Sequence, residues 1–421
     1  MAEEWVFWLT TSLGIAPGSR PGGAVGCAER ERGLAMEAIS CDSCLPDWYV
    51  RSLAKRHGTP LLLLDTDQVR HQYRALQAAL PNVTVHYAIK ALPHPLVLAA
   101  LRDVGSSFDI ASAGEIELLR AQGVPAERTI HTHPVKSRRE IEAALAFGCT
   151  TFVADNVAEL EKFVPFAGRT ELLLRVSFRN PEAVVDLSKK FGCSEEDVIP
   201  LLGVAHSLGL RIQGLSFHVG SQCGSSRAHV AAVEACARLM LAAARAGLPP
   251  LRVLDIGGGF PVPYQPEVSD IESFCAPIRE ALATLPPELQ VISEPGRYLA
   301  APAMHGVSAI IGKAVRGGRV WYYLDDGVYG SYSGQHYDHA RYPVSALREG
   351  PLLPAVLAGP TCDSIDVIAE NLMLPQLRVG DLVVGRQMGA YTWACASEFN
   401  FFPRATIVAV NRRAGDAGGV S

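Results

Sequence analysis

The stretch VTVHYAIKALPHP, residues 83–95, alternates Val83, Val85, Tyr87 and Ile89 with Thr84, His86, Ala88 and Lys90. Alternation with β-branched residues predicts a half-buried strand over 83–89. Pro93 and Pro95 close it. Lys90 is thereby left at the C-terminal lip of the strand. A lone lysine there reads most simply as a snorkelling surface charge, and the rest of the chain decides whether that reading holds.

Outward from this strand, strand-like and helix-like stretches alternate. Further strands are predicted over 107–111, 129–133, 150–154, 171–177, 211–218, 252–256 and 290–293. Between most of them lie Ala/Leu/Glu/Arg-rich runs of helical spacing. SAGEIELLRAQG sets Ser112 three residues before Glu115, a capping-box pattern, and stops at Gly123. KSRREIEAALAFG also ends on glycine, as does HVAAVEACARLMLAAARAG. Eight such units predict a parallel (β/α)8 barrel over 67–303, with an open doubly wound sheet as the alternative. A helix around 46–57 and the strand TPLLLLD (59–65) precede it, a joining segment over 45–66. After residue 303, runs such as VWYYLDDG, PAVLAG and DLVVG are broken by Gly, Pro and Asp. That texture predicts an antiparallel β-domain over 304–421, to which TPLLLLD can belong.

Composition narrows the function. The 421 residues and an apolar fraction of 48% allow a barrel with an appended domain. A net charge of −5 without long runs of either sign speaks against nucleic acid or an anionic membrane as partner. No apolar run approaches the roughly 20 residues of a membrane span. Residues 1–44 are rich in Gly, Pro and Ser and read as a poorly ordered extension without the pattern of a secretory signal. Met36 stands there as an alternative initiator. The ten cysteines lack framework spacing, so free thiols and a cytoplasmic location are expected. Cys41 and Cys44 form a C-x-x-C with no second pair at zinc-site spacing, and no metal is expected.

In a (β/α)8 barrel, catalytic groups gather at the C-terminal strand ends. Read in order, those ends supply Lys90, Asp109 in SFDIASAGE, His218 in LSFHVGSQ, Gly257, Gly258 and Gly259 in LDIGGGFP, and Glu294 with Arg297 in ISEPGRYL. A glycine triplet lets backbone N–H groups close on an anion, and the loops after strands seven and eight are where barrels hold phosphate. Arg297 can supply the matching cation. Each residue alone has an ordinary reading: a surface lysine, a satisfied buried histidine, a structural Glu–Arg pair. Together they suit pyridoxal phosphate (PLP). Its aldehyde condenses with an amine, its phosphate wants N–H donors, and its ring nitrogen needs a carboxylate to stay protonated.

On these residues the chain resembles the PLP-dependent group IV decarboxylases of ornithine, lysine, arginine and diaminopimelate. The resemblance runs in order through YAIK, FDIASAGEIELL, HPVKS, VDLSKKFGC, FHVGSQ, DIGGGFP, EPGRY, DDGVYGSY, YDHARYP, GPTCDSID and MGAYT. It implies a barrel of alanine-racemase type plus a β-domain, PLP, and a head-to-tail homodimer with shared active sites. It also implies that Lys90 carries the cofactor covalently, that His218 stacks on its ring, and that Glu294 faces the pyridine nitrogen. Related alanine racemases use arginine at the position of Glu294. Asp109 joins the cofactor site, and the glycine triplet, Arg297, Ser221 and Tyr391 match the phosphate shell.

For the substrate, Cys362 resembles the thiol that returns a proton to the carbon after CO2 loss. Asp363 and Asp338 resemble the carboxylates that meet a distal ammonium. Tyr337 and Phe402 match substrate-pocket positions. Diaminopimelate enzymes typically carry Glu where Asp363 stands, so ornithine is the first expectation and lysine the second. One or two methylenes are worth only about 1–3 kcal/mol of discrimination. One departure stands out: the family usually reads FNGF where this chain reads EFNFFP, so Phe401 replaces a glycine. A PLP racemase and a non-catalytic homologue remain the rival readings; the presence of both Lys90 and Cys362 weighs against the second.

Overall fold

The computed structural model describes residues 45–410, apart from 181–182, 186–187 and 266–267. The extension expected over 1–44, with Met36, Cys41 and Cys44, lies outside the described residues.

Eight parallel strands close into a barrel: Val83–Ala88, Ser107–Ile110, Thr129–His131, Thr151–Ala154, Glu171–Val176, Ile212–Phe217, Val253–Asp255 and Gln290–Ser293. The last pairs with the first, Val291 opposite Val83. This closure excludes the open doubly wound sheet. Ile130, Val153, Leu173, Val253 and Ile292 pack together in a cluster of their own. Their strand neighbours Phe108, Phe152, Leu172 and Leu254 belong to the larger core, with helix residues such as Ile116, Ile141 and Leu160. Such strands, buried on both faces, need near-continuous apolar runs, which is why they could be read from sequence.

The helices start and stop where their caps dictate. Before Arg138–Phe147, the Ser137 hydroxyl accepts from the Glu140 N–H (3.3 Å), and the Glu140 carboxylate accepts from the Ser137 N–H (3.1 Å). At Ala113–Ala121 the box is displaced by one residue. Ser112 accepts from the Glu115 N–H, but the Glu115 carboxylate reaches the N–H of Ala111 (2.6 Å).

A second, eight-stranded sheet is built around the long strand Met304–Arg316. Leu61–Leu64 joins it as expected, antiparallel to Met304–Arg316 and parallel to Thr406–Ala409. Most pairs are antiparallel; Arg319–Leu324 with Leu353–Ala358 is a further parallel pair. Backbone hydrogen bonds fasten this sheet's loops to the barrel mouth: Tyr391 N–H to Ala91 O (2.9 Å) and Gly389 N–H to Ala301 O (3.1 Å). No helix among the described residues is long and apolar enough to cross a membrane.

Candidate active site

Lys90 sits one turn past its strand. The strand ends at Ala88, and Ile89–Ala91 makes a single 3-10 turn. Pro95 then opens the next helix, whose N-cap is His94, with Nδ1 accepting from the Leu96 N–H. The turn is held from both sides. Ala88 N–H donates to Pro295 O (3.1 Å), and Ala91 O accepts from Tyr391. This projects the Lys90 amine into a cavity of about 300 Å3 at the barrel mouth. About half of the lysine side chain is accessible, and what it meets is that cavity.

The cavity is lined by Lys90, Thr132, His133, Arg175, Phe191, His218, Ser221, Gly259, Glu294, Gly296, Arg297, Asp338 and Tyr391, among others. Asp109 lies buried behind Lys90, its Oδ2 3.8 Å from the amine. Its Oδ1 accepts from the Thr132 hydroxyl (2.5 Å). Burial alone would lower the Lys90 pKa, but the neighbouring Asp109, Tyr391 and Glu294 groups outweigh it and hold the amine above its ordinary value. Burial and the neighbouring Glu294 push Asp109 up to about 8. Burial and the same Glu294 raise Asp255, whose Oδ1 accepts from the Gly257 N–H (2.9 Å).

His218 is held neutral, by burial first and then by the charges of Arg175 and Lys90. Its Nδ1 accepts from the Gly220 N–H (3.1 Å), so the ring carries its proton on Nε2. Arg297 binds Ser221 Oγ (3.2 and 3.3 Å) and Asp338 Oδ2 (2.7 Å). The guanidinium expected at the phosphate and the carboxylate expected at the substrate are thus one buried ion pair.

These residues fit PLP. The loop after the seventh barrel strand has no room for side chains. A Cβ on Gly257 would lie 2.3 Å from Phe217 O, and one on Gly259 2.5 Å from Gly220 O, both at positive φ. Two buried carboxyls, Asp109 and Glu294, stand beside Lys90, and a protonated ring nitrogen would find a carboxylate partner there. Gly257→Ala is therefore expected to destabilise the protein by about 1–2 kcal/mol or more and to lower its PLP content. Chemical denaturation and the cofactor-to-protein ratio of the purified variant check this.

Some expected residues stand elsewhere. Gly257 and Gly258 are not among the lining residues, and of the triplet Gly259 lines the cavity, together with Gly296. Tyr337 is largely exposed and, like Phe402, is not among the lining residues. Cys362 is exposed and Asp363 half-buried on a loop that also stays outside this chain's cavity. There the Tyr329 hydroxyl and the Ile365 N–H (3.2 Å) donate to Asp363 and hold its carboxyl below the usual range. Phe399 stacks on Tyr329 at 4.4 Å. Asp366, fully buried, braces the loop by accepting from Thr361 N–H (3.0 Å), Thr361 Oγ1 (2.7 Å) and Val328 N–H (2.9 Å).

Sequence reasoning missed Arg175, His133, Phe191 and Gly296 on the cavity wall, and Tyr329 and Phe399 beside Asp363. Arg175 carried a signal, being the one charge within LLLRVSF. Its guanidinium stands over the Phe191 ring at 5.5 Å.

Residues 66–301 match the family described as pyridoxal-dependent decarboxylase, pyridoxal binding domain. The chain is 40% identical to the lysine/ornithine decarboxylase of Selenomonas ruminantium over 85% of its own length and 91% of that protein's. It is 37% identical to antizyme inhibitor 2 of Xenopus laevis, over 81% and 78% of the two chains. Among solved structures, the lysine/ornithine decarboxylase of Vibrio vulnificus complexed with putrescine superposes with a TM-score of 0.83. It is 52% identical, with 87% of this chain and 98% of that one covered. The same protein also matches in a complex with cadaverine. Barrel, cradle and relatives agree: the chain belongs to the pyridoxal-dependent amino-acid decarboxylases, and PLP is its cofactor.

Proposed function

We propose that the chain decarboxylates a basic L-amino acid, L-ornithine first and L-lysine second, at a site shared by two copies in a homodimer. One observation carries this reading. The cavity at the barrel mouth gathers Lys90, His218, Glu294, Ser221, Gly259, Arg297 and Tyr391, while Cys362 and Asp363 stand outside it on their own loop.

Bound PLP supplies an electron sink for the pair of electrons left on the substrate carbon when CO2 departs. Lys90 would hold the cofactor through its amine. His218, neutral and fixed by Gly220, would stand beside the ring. Glu294 would be the carboxylate partner of the ring nitrogen. Arg297, Ser221, Tyr391 and the N–H groups around Gly259 and Gly296 would hold the phosphate. The Cys362 thiol of the second copy returns a proton to the substrate carbon, and Asp363 of that copy binds the distal ammonium. Asp338 contributes a second negative charge, shared with Arg297. The Asp363 carboxylate, already ionised by its hydrogen bonds, suits a charge-assisted contact with that ammonium.

The relatives support the substrate class, since two of them bear the name lysine/ornithine decarboxylase. The seven described cysteines are all free thiols, which supports a reducing, cytoplasmic setting. The test is CO2 release from ornithine, lysine, arginine and diaminopimelate by the PLP-loaded protein. Release is expected from ornithine and lysine, faster from ornithine. No CO2 from any of the four, with PLP bound, would overturn the reading.

A further inference from the structure

Phe401 is the most conspicuous apolar residue on the described surface. Its side chain is 95% exposed, and its backbone lies in the left-handed region at φ +60. A bulky residue rarely adopts that conformation, and such conformations persist mainly where function keeps them. The ring is not isolated. Phe401 closes the turn Phe399–Phe401, its N–H donating to Glu398 O (2.9 Å). The residue before it, Asn400, accepts from the Cys362 N–H (3.2 Å). The residue before that, Phe399, stacks on Tyr329, which donates to Asp363. Phe401 is therefore part of one fastened unit with Cys362 and Asp363, and wherever those two go, it goes.

This unit and the barrel mouth complement each other. The cavity offers Lys90, Arg175 and Arg297 on its wall but no thiol. The unit offers an exposed thiol, an ionised carboxylate and an uncovered ring. A second copy of this chain is the occupant that joins the two halves.

We infer that Phe401 is a specificity-determining residue that acts in trans, its ring entering the partner copy's cavity beside Asp363 and shortening the space for the distal amine. This rests on the shared-site reading given above. A ring at that end disfavours the longer substrate chain, so its removal favours lysine over ornithine.

Hybrid dimers test both statements separately. A Lys90→Ala chain paired with a Cys362→Ala chain has one intact site, built from Lys90 of the second and the Cys362 loop of the first. Phe401→Gly is then placed on one chain or the other, with Phe401→Ala in parallel. Alanine removes the ring without granting glycine's backbone freedom. With the substitution on the Lys90→Ala chain, the lysine-to-ornithine ratio of kcat/KM is expected to rise roughly tenfold, the scale of one methylene in a pocket. With it on the Cys362→Ala chain, the ratio is expected to stay put. Active hybrids whose ratio is the same in both placements would overturn the role of Phe401 and leave the shared site standing. No activity in any hybrid, despite proven subunit exchange, would overturn the shared site and the trans role together.

Discussion

Lys90→Ala is expected to remove the borohydride-reducible link between protein and PLP and to lower turnover on the order of 10³-fold or more, the scale of losing a covalent group. The prediction is sharp because the buried lysine near the described barrel mouth, Lys136, does not line the cavity, and its geometry disqualifies it. The Lys136 amine donates to His133 O (2.6 Å), Pro134 O (3.0 Å) and Val153 O (2.6 Å), a full set of three acceptors. Burial lowers the Lys136 pKa to about 7, so what disqualifies it is position: its nitrogen is tied to three backbone carbonyls and does not line the cavity. Lys90, by contrast, has Asp109 at 3.8 Å and an open cavity ahead of it. Reduction of the loaded protein followed by peptide mapping should place the label on Lys90. A label on Lys136, or full cofactor linkage in the Lys90→Ala variant, would remove Lys90 from the role given to it here.

What the sequence disclosed and what it hid have a common physical cause. The barrel strands begin and end within two residues of their expected limits. Most are short apolar runs between a glycine-stopped helix and a polar strand end, and Pro takes the glycine's place before the first and the last, so their limits are local facts. Lys90, His218 and Glu294 were legible for the same reason, being polar groups just past such runs, while Asp109 and Arg297 were read from the motifs around them. The pairing of Arg297 with Asp338 was not legible. It joins residues 41 positions apart and depends on how the sheet domain docks on the barrel. Arg175 was passed over because it lies inside its strand, where a charge looks like an interruption of the pattern. The displaced capping box at Ser112 shows the same limit at small scale. The spacing named the right two residues, but the carboxylate of Glu115 chose the N–H of Ala111. Phe399 and Phe402 are both phenylalanines in one short loop, and only the stacking on Tyr329 separates the residue beside Asp363 from its neighbour.

The distance in sequence between Lys90 and Cys362 yields the last expectation. Neither the cysteine nor Asp363 lines the cavity that contains Lys90 in the same chain. The loop that carries them is braced in place by the buried Asp366, which accepts hydrogen bonds from Thr361 and Val328. Gly327 and Gly359 crowd the same carboxylate, since a Cβ on either would come within 2.2 Å of its Oδ1. A loop so fixed does not swing across its own chain to reach Lys90, and in the shared site proposed above a second copy brings the two together. Two inactive variants should then restore each other. When Lys90→Ala and Cys362→Ala chains exchange subunits at equal amounts, random pairing makes about half the dimers mixed. Each mixed dimer has one site with both defects and one with neither. Formation of the diamine product should therefore recover to roughly a quarter of the parent's, while each variant alone forms little or none of it, Cys362→Ala because it loses CO2 without correct reprotonation. If both residues served the cavity of their own chain, every site in the mixture would lack one of them and no pairing could restore activity. Recovery to a quarter that rises and falls with the fraction of mixed dimers, as the ratio of the two chains is varied, is a signature that simple contamination by parent enzyme cannot imitate. An exchanged mixture that remains inactive would place Cys362 outside the shared site.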